Sequence, residues 1–426
     1  MNNVDYPPSY YAASANWHQM FPTLEGNHSV DVCILGAGIT GLSAAVHLAE
    51  AGYRVAVLEA RRVGWGGSGR SGGQFIFGYG CEQSKIEAMI GREASQRLWD
   101  ASLEGIDLIR EHVERYHIDC DLVQGHAHLA LKPRHMRELE AWSEDLAGYG
   151  YRNLTLWDRA QVRKQVASDR YIGGLYDPNS GHLHPLNYTF GLARTAGGLS
   201  AQIFEMSPVL DIQQGDKLLI KSERGQVSAN FCVLAGNAYL SNLMPAVEAK
   251  VMPVGTYITA TEPLGTNRCR DLIANNCAIA DMNFVLDYFR CSGDQRLLFG
   301  GRVSYSTLPP LNLEAAMRKR LLAVFPQLRD IKLDYTWGGY VAITANRAPH
   351  FGRVGNNIYF AQGFSGHGIA ATGLAGKLIA EAIAGQAEKF DLFTRLKHLS
   401  FPGGALFRTP ALVLAMTWFR LRDLLP

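Results

Sequence analysis

The chain has 426 residues, of which 47% are hydrophobic, with 44 glycines and a formal net charge of +2. This length allows a large core in one or two domains, and the small net charge argues against nucleic acid as a partner. Seven cysteines are scattered without a CxxC spacing, which argues against a disulfide framework or a metal site and fits a reducing compartment. Because we find neither a signal-peptide pattern nor an apolar run of membrane-spanning length, we expect a cytoplasmic enzyme.

The predicted elements begin with a strand, a helix and a second strand after a polar and aromatic N-terminal arm. Val30–Leu35 is a short apolar run typical of a buried parallel strand, Thr40–Gly52 has helical spacing, and Arg54–Glu59 is again strand-like. Together they predict a βαβ unit. The later predicted elements are helices over about 82–116 and 369–384, and strands over 119–131, 176–258, 283–301 and 357–363.

A glycine fingerprint joins the first strand to the first helix. It is the GxGxxG run Gly36-Ala37-Gly38-Ile39-Thr40-Gly41. In this strand-to-helix context the first glycine permits a tight turn, the second lets a pyrophosphate approach the backbone, and the third allows close helix–strand packing. The helix N-terminus then offers free N–H groups to the phosphates. Glu59 ends the second strand, where its carboxylate can accept hydrogen bonds from a ribose. These features predict a dinucleotide site.

Two further glycine-rich loops indicate that the dinucleotide is FAD. The first can lead from the pyrophosphate towards a ring system and contains Gly67, Ser68, Arg70, Ser71, Gly72, Gly73 and Gln74. The second lies between a strand and a helix, where a helix N-terminus can stabilise negative charge on a reduced flavin; its residues are Gly363, Phe364, Ser365, Gly366, His367 and Gly368. The remaining predicted cofactor contacts are Ala60, Val209, Ala235 and Gly236.

We therefore expect an α/β (α+β) fold, in which an antiparallel-sheet substrate domain is inserted into a discontinuous, Rossmann-like FAD-binding domain. The predicted parts are an N-terminal arm (1–28), the FAD-binding domain (29–80, about 150–240 and 345–390), the substrate domain (about 81–150 and 241–344) and a C-terminal tail (391–426).

Several motifs resemble those of D-amino-acid-oxidase-like flavoenzymes, a group that includes glycine and sarcosine oxidases, and most closely those of γ-glutamylputrescine oxidoreductases. The motifs that carry the likeness are YYAASAN at 10–16, GSGRSGGQ at 67–74, SGHLHPLN at 180–187, LDYFR at 286–290 and GFSGHG at 363–368. The resemblance implies oxidation of an amine at the carbon next to nitrogen, hydrolysis of the imine to an aldehyde, and reoxidation by O₂ or another acceptor.

The chain departs from these relatives at one position. Sarcosine oxidases hold FAD through a cysteine, and glycine oxidases bind a carboxylate through an arginine, in the segment that aligns with Val341–Gly352. Val341 occupies the corresponding place here. We therefore predict non-covalent FAD and no small amino acid bound in that manner. No metal site is expected.

Three histidines are candidates near the substrate. His182 and His184, in GHLHP, can line the substrate side or accept the ammonium proton if their pKa values stay near the ordinary value of about 6.5. A structural role in a turn that ends at Pro185 is the alternative. His367 lies in the second glycine loop, where contact with the flavin is favoured over a core role.

Other candidates lie on predicted strands. Tyr288 and Arg290 share one strand face, and Arg290 can clamp a γ-glutamyl carboxylate or form an ordinary ion pair. Trp337 and Tyr257 are candidates for an aromatic wall that suits a cation, with core packing as the alternative.

Three functions stay open at this level. The first is an FAD amine oxidoreductase for a γ-glutamylated amine, the second a D-amino-acid or N-methyl-amino-acid dehydrogenase that reduces a quinone, and the third a protein with structural FAD. The apolar tail 411–426 can pack on the body or lie on a membrane surface. The partners are a small amine and an electron acceptor, without nucleic acid, and the oligomeric state is open.

Overall fold

The computed structural model describes residues 6–240, 242–301 and 312–401. Two sheets and the helices that cover them make up these residues. The strands are β1 Gly26–Leu35, β2 Val55–Leu58, β3 Gln74–Phe75, β4 Val123–Ala130, β5 Thr155–Trp157, β6 Gly173–His182, β7 Gln202–Phe204, β8 Val209–Gln213, β9 Leu218–Ser222, β10 Gly225–Leu234, β11 Val251–Thr261, β12 Ala278–Asp281, β13 Asp287–Cys291, β14 Leu297–Gly301, β15 Leu333–Thr344, β16 His350–Val354 and β17 Ile358–Gln362. The helices are α1 Tyr10–Ala13, α2 Ile39–Glu50, α3 Gln83–Ile90, α4 Arg92–Arg115, α5 Pro133–Gly148, α6 Arg159–Gln165, α7 Pro185–Gly198, α8 Pro245–Glu248, α9 Thr266–Leu272, α10 Leu313–Val324, α11 Gly368–Ile383 and α12 Glu388–Thr394.

The first sheet has the order β16-β17-β10-β1-β2-β7, and the β8–β9 hairpin joins it at β10. The pairs that β1 forms with β10 and β2, β10 with β17, and β2 with β7 are parallel. β2 and β17 are buried along their whole length, and β1 and β10 are buried and apolar over their carboxyl-terminal residues, as expected for strands covered on both faces. Since the carboxyl ends of parallel strands share one edge, the loops after β1, β2, β10 and β17 meet there.

The second sheet has the order β15-β11-β14-β13-β12-β4-β6-β3, with β5 on β6. Its pairs are antiparallel except for β4 with β12. The long pair of β11 and β15 forms one side of the sheet. The expected strand pair over 283–301 is present as β13 and β14. The expected class, a nucleotide-type sheet combined with a largely antiparallel one, is confirmed.

Helices α2 and α11 pack closely over the first sheet. A Cβ at Gly376 would lie 2.4 Å from the carbonyl oxygen of Thr40, and the Ser43 hydroxyl donates to the Gly373 carbonyl at 2.7 Å. Helix α4 covers α11 at Gly105, where a Cβ would lie 3.1 Å from the Ala370 oxygen. The packing fixes the N-termini of α2 and α11 on the same side of the sheet.

The chain alternates between the sheets, as a discontinuous arrangement requires. The first sheet takes strands from 26–58, 202–234 and 350–362. One difference concerns residues 155–182: we expected them in the FAD-binding part, whereas β5 and β6 pair within the second sheet. The division into domains itself stays a prediction. The expected helix over 82–116 is broken at Gly91, which has φ +85°, into α3 and α4.

The tail 411–426 lies outside the described residues. Among the described residues, no single helix is both long and apolar enough to cross a membrane. Helices α11 and α12 together have that length and apolarity, but the chain bends by 117° between them.

Candidate active site

The fingerprint loop forms the turn that its glycines predict. Gly36 has φ +106°, and a Cβ there would lie 3.0 Å from the Ala235 oxygen, so β10 approaches this turn closely. At Gly41 a Cβ would lie 2.0 Å from the Gly36 oxygen, which only glycine avoids. The Ser68 hydroxyl accepts the Ile39 N–H at 3.0 Å. The N–H groups of Thr40 and Gly41 make no hydrogen bond to the described backbone and are therefore available to a phosphate.

Glu59 directly follows β2. Its side chain faces the fingerprint loop and also forms a hydrogen bond with it. One carboxylate oxygen accepts the Ala37 N–H at 2.8 Å and the other accepts the Arg61 N–H at 2.9 Å. Burial raises the pKa of Glu59. Ala60 follows and is exposed. The Ser207 N–H donates to the Glu59 carbonyl at 2.9 Å, which brings the start of β8 at Val209 to the same edge of the sheet.

The loop over 64–74 runs from the fingerprint towards the second sheet. Gly67–Gly69 forms a 3₁₀ turn, and Ser71 accepts the Gly73 N–H at 3.4 Å. The guanidinium of Arg70 stacks 4.4 Å from the Trp65 ring centroid and donates to the Tyr239 hydroxyl at 2.8 Å.

The end of this loop is tied to the second sheet. The Gly72 carbonyl accepts from Arg290 at 2.9 Å, and the Gly73 carbonyl accepts from the Leu183 N–H at 2.8 Å. Gln74 donates to the Ile279 carbonyl at 3.2 Å, and its amide oxygen lies 3.2 Å from Nε2 of His126.

The second glycine loop leads from β17 into α11. Gly363 has φ +71° and donates its N–H to the Asn237 side chain at 3.0 Å, next to Ala235 and Gly236 at the end of β10. A Cβ at Gly366 would meet no atom within 4 Å, so this part of the loop faces open space. His367 is the residue that precedes α11, but its side chain makes no capping hydrogen bond to the helix. Phe364 and Ser365 are buried beneath the loop.

These segments fit FAD. The glycines leave room for a pyrophosphate where any Cβ would collide with backbone, and two helix N-termini with free N–H groups end at one edge of the first sheet. Val341 lies in β15 among apolar neighbours. Non-covalent attachment stays a prediction.

His182 and His184 are buried, and both ring nitrogens of each are engaged by the protein. His182 lies 2.8 Å from the Asn276 carbonyl and 3.3 Å from the Arg290 guanidinium. His184 caps α7 by accepting the Asn187 N–H at 3.1 Å, and its Nε2 lies 3.1 Å from the Ser14 hydroxyl. We expected ordinary pKa values, but burial lowers the pKa of each to about 3, with Arg290 as the second cause.

Arg290, which we expected to clamp a carboxylate or to form an ordinary ion pair, donates its hydrogen bonds to groups of the protein itself. It is 2% exposed, and it donates to the carbonyls of Gly72 and Leu183, each at 2.9 Å, and to the Tyr11 hydroxyl at 3.1 Å. Its third nitrogen lies 3.3 Å from the Cys291 carbonyl. No donor is left for a ligand.

Two of the aromatic candidates, Tyr288 and Trp337, contact the first glycine-rich loop. The Tyr288 ring lies between Gly72 and Gly300, because a Cβ at these positions would come within 2.6 and 2.0 Å of it. Trp337 donates to the Arg70 carbonyl at 3.1 Å and packs edge-on against Tyr11 at 5.3 Å between ring centroids. Tyr257 is buried in the apolar core of the second sheet. Trp337 and Tyr257 therefore pack as core residues, the alternative considered above.

Three residues that contact the site were not among the candidates predicted from the sequence. The arm inserts Tyr11, which is fully buried against Arg290 and Trp337. Asn237 bridges to the second glycine loop, and Arg347 contacts Ser365. Tyr11 belongs to the motif YYAASAN, and Asn237 directly follows the predicted cofactor contacts Ala235 and Gly236, so the sequence offered a signal for both. No local signal distinguished Arg347.

Comparisons with known proteins agree with this geometry. Residues 31–382 match the family described as FAD dependent oxidoreductase, DAO. The chain is 43% identical over 421 residues to the γ-glutamylputrescine oxidoreductase of Escherichia coli K12, with 99% of each chain covered. It is 44% identical to a probable oxidoreductase OrdL of Haemophilus influenzae, with 97% of each covered. The crystal structure of a glycine oxidase from Geobacillus kaustophilus shares the fold, with a TM-score of 0.72 at 21% identity, and covers 88% of this chain and 100% of that one.

Proposed function

Because the chain belongs to the family of FAD-dependent oxidoreductases, we propose that it oxidises the C–N bond of a γ-glutamylated amine, with γ-glutamylputrescine as the substrate. The observation that carries this proposal is the 43% identity, over 99% of both chains, to an enzyme named for that substrate. The product imine then hydrolyses to an aldehyde. FAD supplies the chemistry when bound, by accepting a hydride from the carbon next to the nitrogen.

The residues of the first sheet's edge would hold the cofactor. The free N–H groups of Thr40 and Gly41 at the start of α2 suit the pyrophosphate, and the Glu59 carboxylate suits the ribose hydroxyls. The start of α11 at Gly368 would present its positive dipole end to the ring system, where it favours negative charge.

Several buried histidines would leave the substrate side without fixed positive charge. The rings of His126 and His128 lie 4.5 Å apart, and burial lowers the pKa of His126, with His128, His367 and His182 as further causes. Burial lowers the pKa of His128 to about 4 and that of His367 to about 3. These side chains are therefore neutral at physiological pH, so they neither repel an ammonium group nor require a proton to leave before the amine binds.

The test is a steady-state panel with purified holoenzyme. Aldehyde formation is measured for γ-glutamylputrescine, free putrescine, another γ-glutamyl amine, glycine and a D-amino acid. The proposal expects kcat/KM to be highest for γ-glutamylputrescine. Turnover confined to D-amino acids would contradict it and support the dehydrogenase alternative, and no turnover across the panel would support a structural FAD.

For the electron acceptor and the compartment we propose O₂ and the cytoplasm. All seven cysteines carry free thiols, which supports a reducing compartment. Hydrogen peroxide released in proportion to aldehyde supports O₂ as the acceptor. Aldehyde formed only when a quinone or dye is added would instead support transfer to a quinone.

A further inference from the structure

Arg347 occupies a strained turn beside the second glycine loop. It follows β15 with φ +66°, and Ser365, opposite it, has φ +54°. A left-handed conformation at a non-glycine residue is strained because its Cβ crowds a carbonyl oxygen, and such strain persists where the surroundings enforce it. Here a Cβ at Gly80 would lie 2.6 Å from the Ser365 Cβ and 2.8 Å from the Arg347 oxygen. The segments that contain Gly80, Arg347 and Ser365 are thus packed closely together.

The guanidinium of Arg347 lies at the junction of the two sheets. Its Nε donates to the Gly80 carbonyl at 2.9 Å, and one terminal nitrogen donates to the Ser365 carbonyl at 3.2 Å. Its carbon lies 5.6 Å from the ring centroid of Phe284, in the loop between β12 and β13. Both acceptors are neutral carbonyls, and no carboxylate in the described part of the chain forms an ion pair with Arg347.

Burial therefore acts on this cation without an acidic partner. It lowers the pKa of Arg347, while Nη1 makes no hydrogen bond within the described ranges and is not among their fully enclosed unpaired atoms. A half-buried guanidinium with a free, accessible donor is an arrangement that an anionic ligand completes, because the ligand supplies the missing charge-assisted hydrogen bonds.

The two other arginines near the loops do not have this property. All three nitrogens of Arg290 are engaged by Gly72, Leu183, Tyr11, Cys291 and His182. All three nitrogens of Arg70 are engaged by Gly66, Gly338 and Tyr239.

His367 adds a second unpaired group at the same place. Its Nδ1 is enclosed without a hydrogen-bond partner among the described residues, and it lies close enough to Arg347 for the guanidinium to depress its pKa. The second glycine loop therefore carries an unpaired imidazole nitrogen, and Arg347 in the adjacent turn carries an unpaired donor.

We propose that Arg347 is a specificity-determining residue that binds the carboxylate of the acyl group on the substrate amine. This inference rests on the proposed function and narrows its substrate class to amines acylated by a group with a free carboxylate. It assigns to Arg347 the recognition that the sequence suggested for Arg290.

The test compares two ligands that differ in one carboxylate, γ-glutamyl-n-butylamide and 4-aminobutyryl-n-butylamide. Calorimetry on the holoenzyme gives the Kd of each for the wild type, Arg347→Gln and Arg347→Lys. We expect Arg347→Gln to weaken binding of the γ-glutamyl ligand by about 10- to 100-fold, the value of one charge-assisted hydrogen bond pair. Binding of the decarboxylated ligand should change little, and Arg347→Lys should recover part of the loss.

Arg353→Gln is the matched control, because Arg353 is also an arginine of the segment after β15 but is paired with Asp391 at 2.6 Å; it should leave both Kd values unchanged. Equal weakening of the two ligands in Arg347→Gln, or no weakening, would overturn the assignment, as would a wild type that does not prefer the carboxylate. Flavin reduction by γ-glutamylputrescine in the wild type is recorded separately. If reduction occurs while the Kd pattern fails, the Arg347 assignment alone is wrong; if reduction fails, the proposed function is wrong.

Discussion

Replacing Arg290 by Met distinguishes a structural role from a substrate-binding one. The substitution keeps the side-chain length but removes every donor, so the carbonyls of Gly72 and Leu183 and the hydroxyl of Tyr11 lose a partner at 2.9, 2.9 and 3.1 Å. Hydrogen bonds to a charged group contribute about 1.5–3 kcal/mol each. Since burying a guanidinium costs several kcal/mol that the variant regains, we expect a net loss of about 2–5 kcal/mol.

The assay is urea unfolding of the FAD-loaded enzyme, followed by tryptophan and flavin fluorescence. The unfolding midpoint of Arg290→Met should fall, and flavin should be released at a lower urea concentration because Gly72 lies in the cofactor loop. Arg163→Gln removes an exposed arginine that is paired with Asp169 and should leave the midpoint unchanged. An unchanged midpoint in Arg290→Met, together with a raised KM for γ-glutamylputrescine alone, would refute this reasoning and restore the carboxylate clamp.

Three further predictions follow from the site. Gly41→Ala should be purified without most of its flavin, because the new Cβ would lie 2.0 Å from the Gly36 oxygen. Gly198→Ala is the control: its Cβ would enter open space, so this variant should keep the wild-type flavin-to-protein ratio. Equal ratios in the two variants would contradict this prediction. Denaturation in acid or detergent should release all flavin as free FAD, and flavin that remains on the polypeptide would show a covalent link. His182 and His184 have folded pKa values of about 3 against about 6.5 when unfolded. Between about pH 6.5 and pH 3 only the unfolded chain binds protons at these histidines. The free energy of unfolding should therefore fall as the pH falls from about 6.5, by up to about 1.4 kcal/mol per pH unit for each histidine. His184→Asn, which keeps a capping side chain, should make this fall less steep, and an identical slope would contradict the prediction.

The sequence predicted the cofactor and the turns at the edge of the first sheet because these turns are built from local rules. Gly36 and Gly41 are required by backbone geometry within one βαβ unit, and the carboxyl ends of parallel strands must meet. The second glycine loop at Gly363 was recognisable for the same reason. Each signal is contained in a few consecutive residues, so composition and spacing are sufficient to find it.

The contacts of the predicted substrate-side residues join distant parts of the chain, so the sequence alone did not reveal them. Arg290 has a suitable residue type for a carboxylate, but its donors are consumed by Tyr11, 279 residues away, and by the loop at Gly72. The burial that depresses the pKa of His182 is likewise a property of packing. Arg347 has no local signature, because its lack of an acidic partner is visible only when the neighbouring elements are in place.

The most direct test of the central claim is an anaerobic titration of the FAD-loaded enzyme with γ-glutamylputrescine, followed by the flavin absorbance. The account predicts that one equivalent of substrate bleaches one equivalent of flavin and yields one equivalent of aldehyde, while putrescine without the γ-glutamyl group is far less effective at the same concentration. Flavin that stays oxidised with γ-glutamylputrescine, or that is bleached equally by free putrescine, would contradict it.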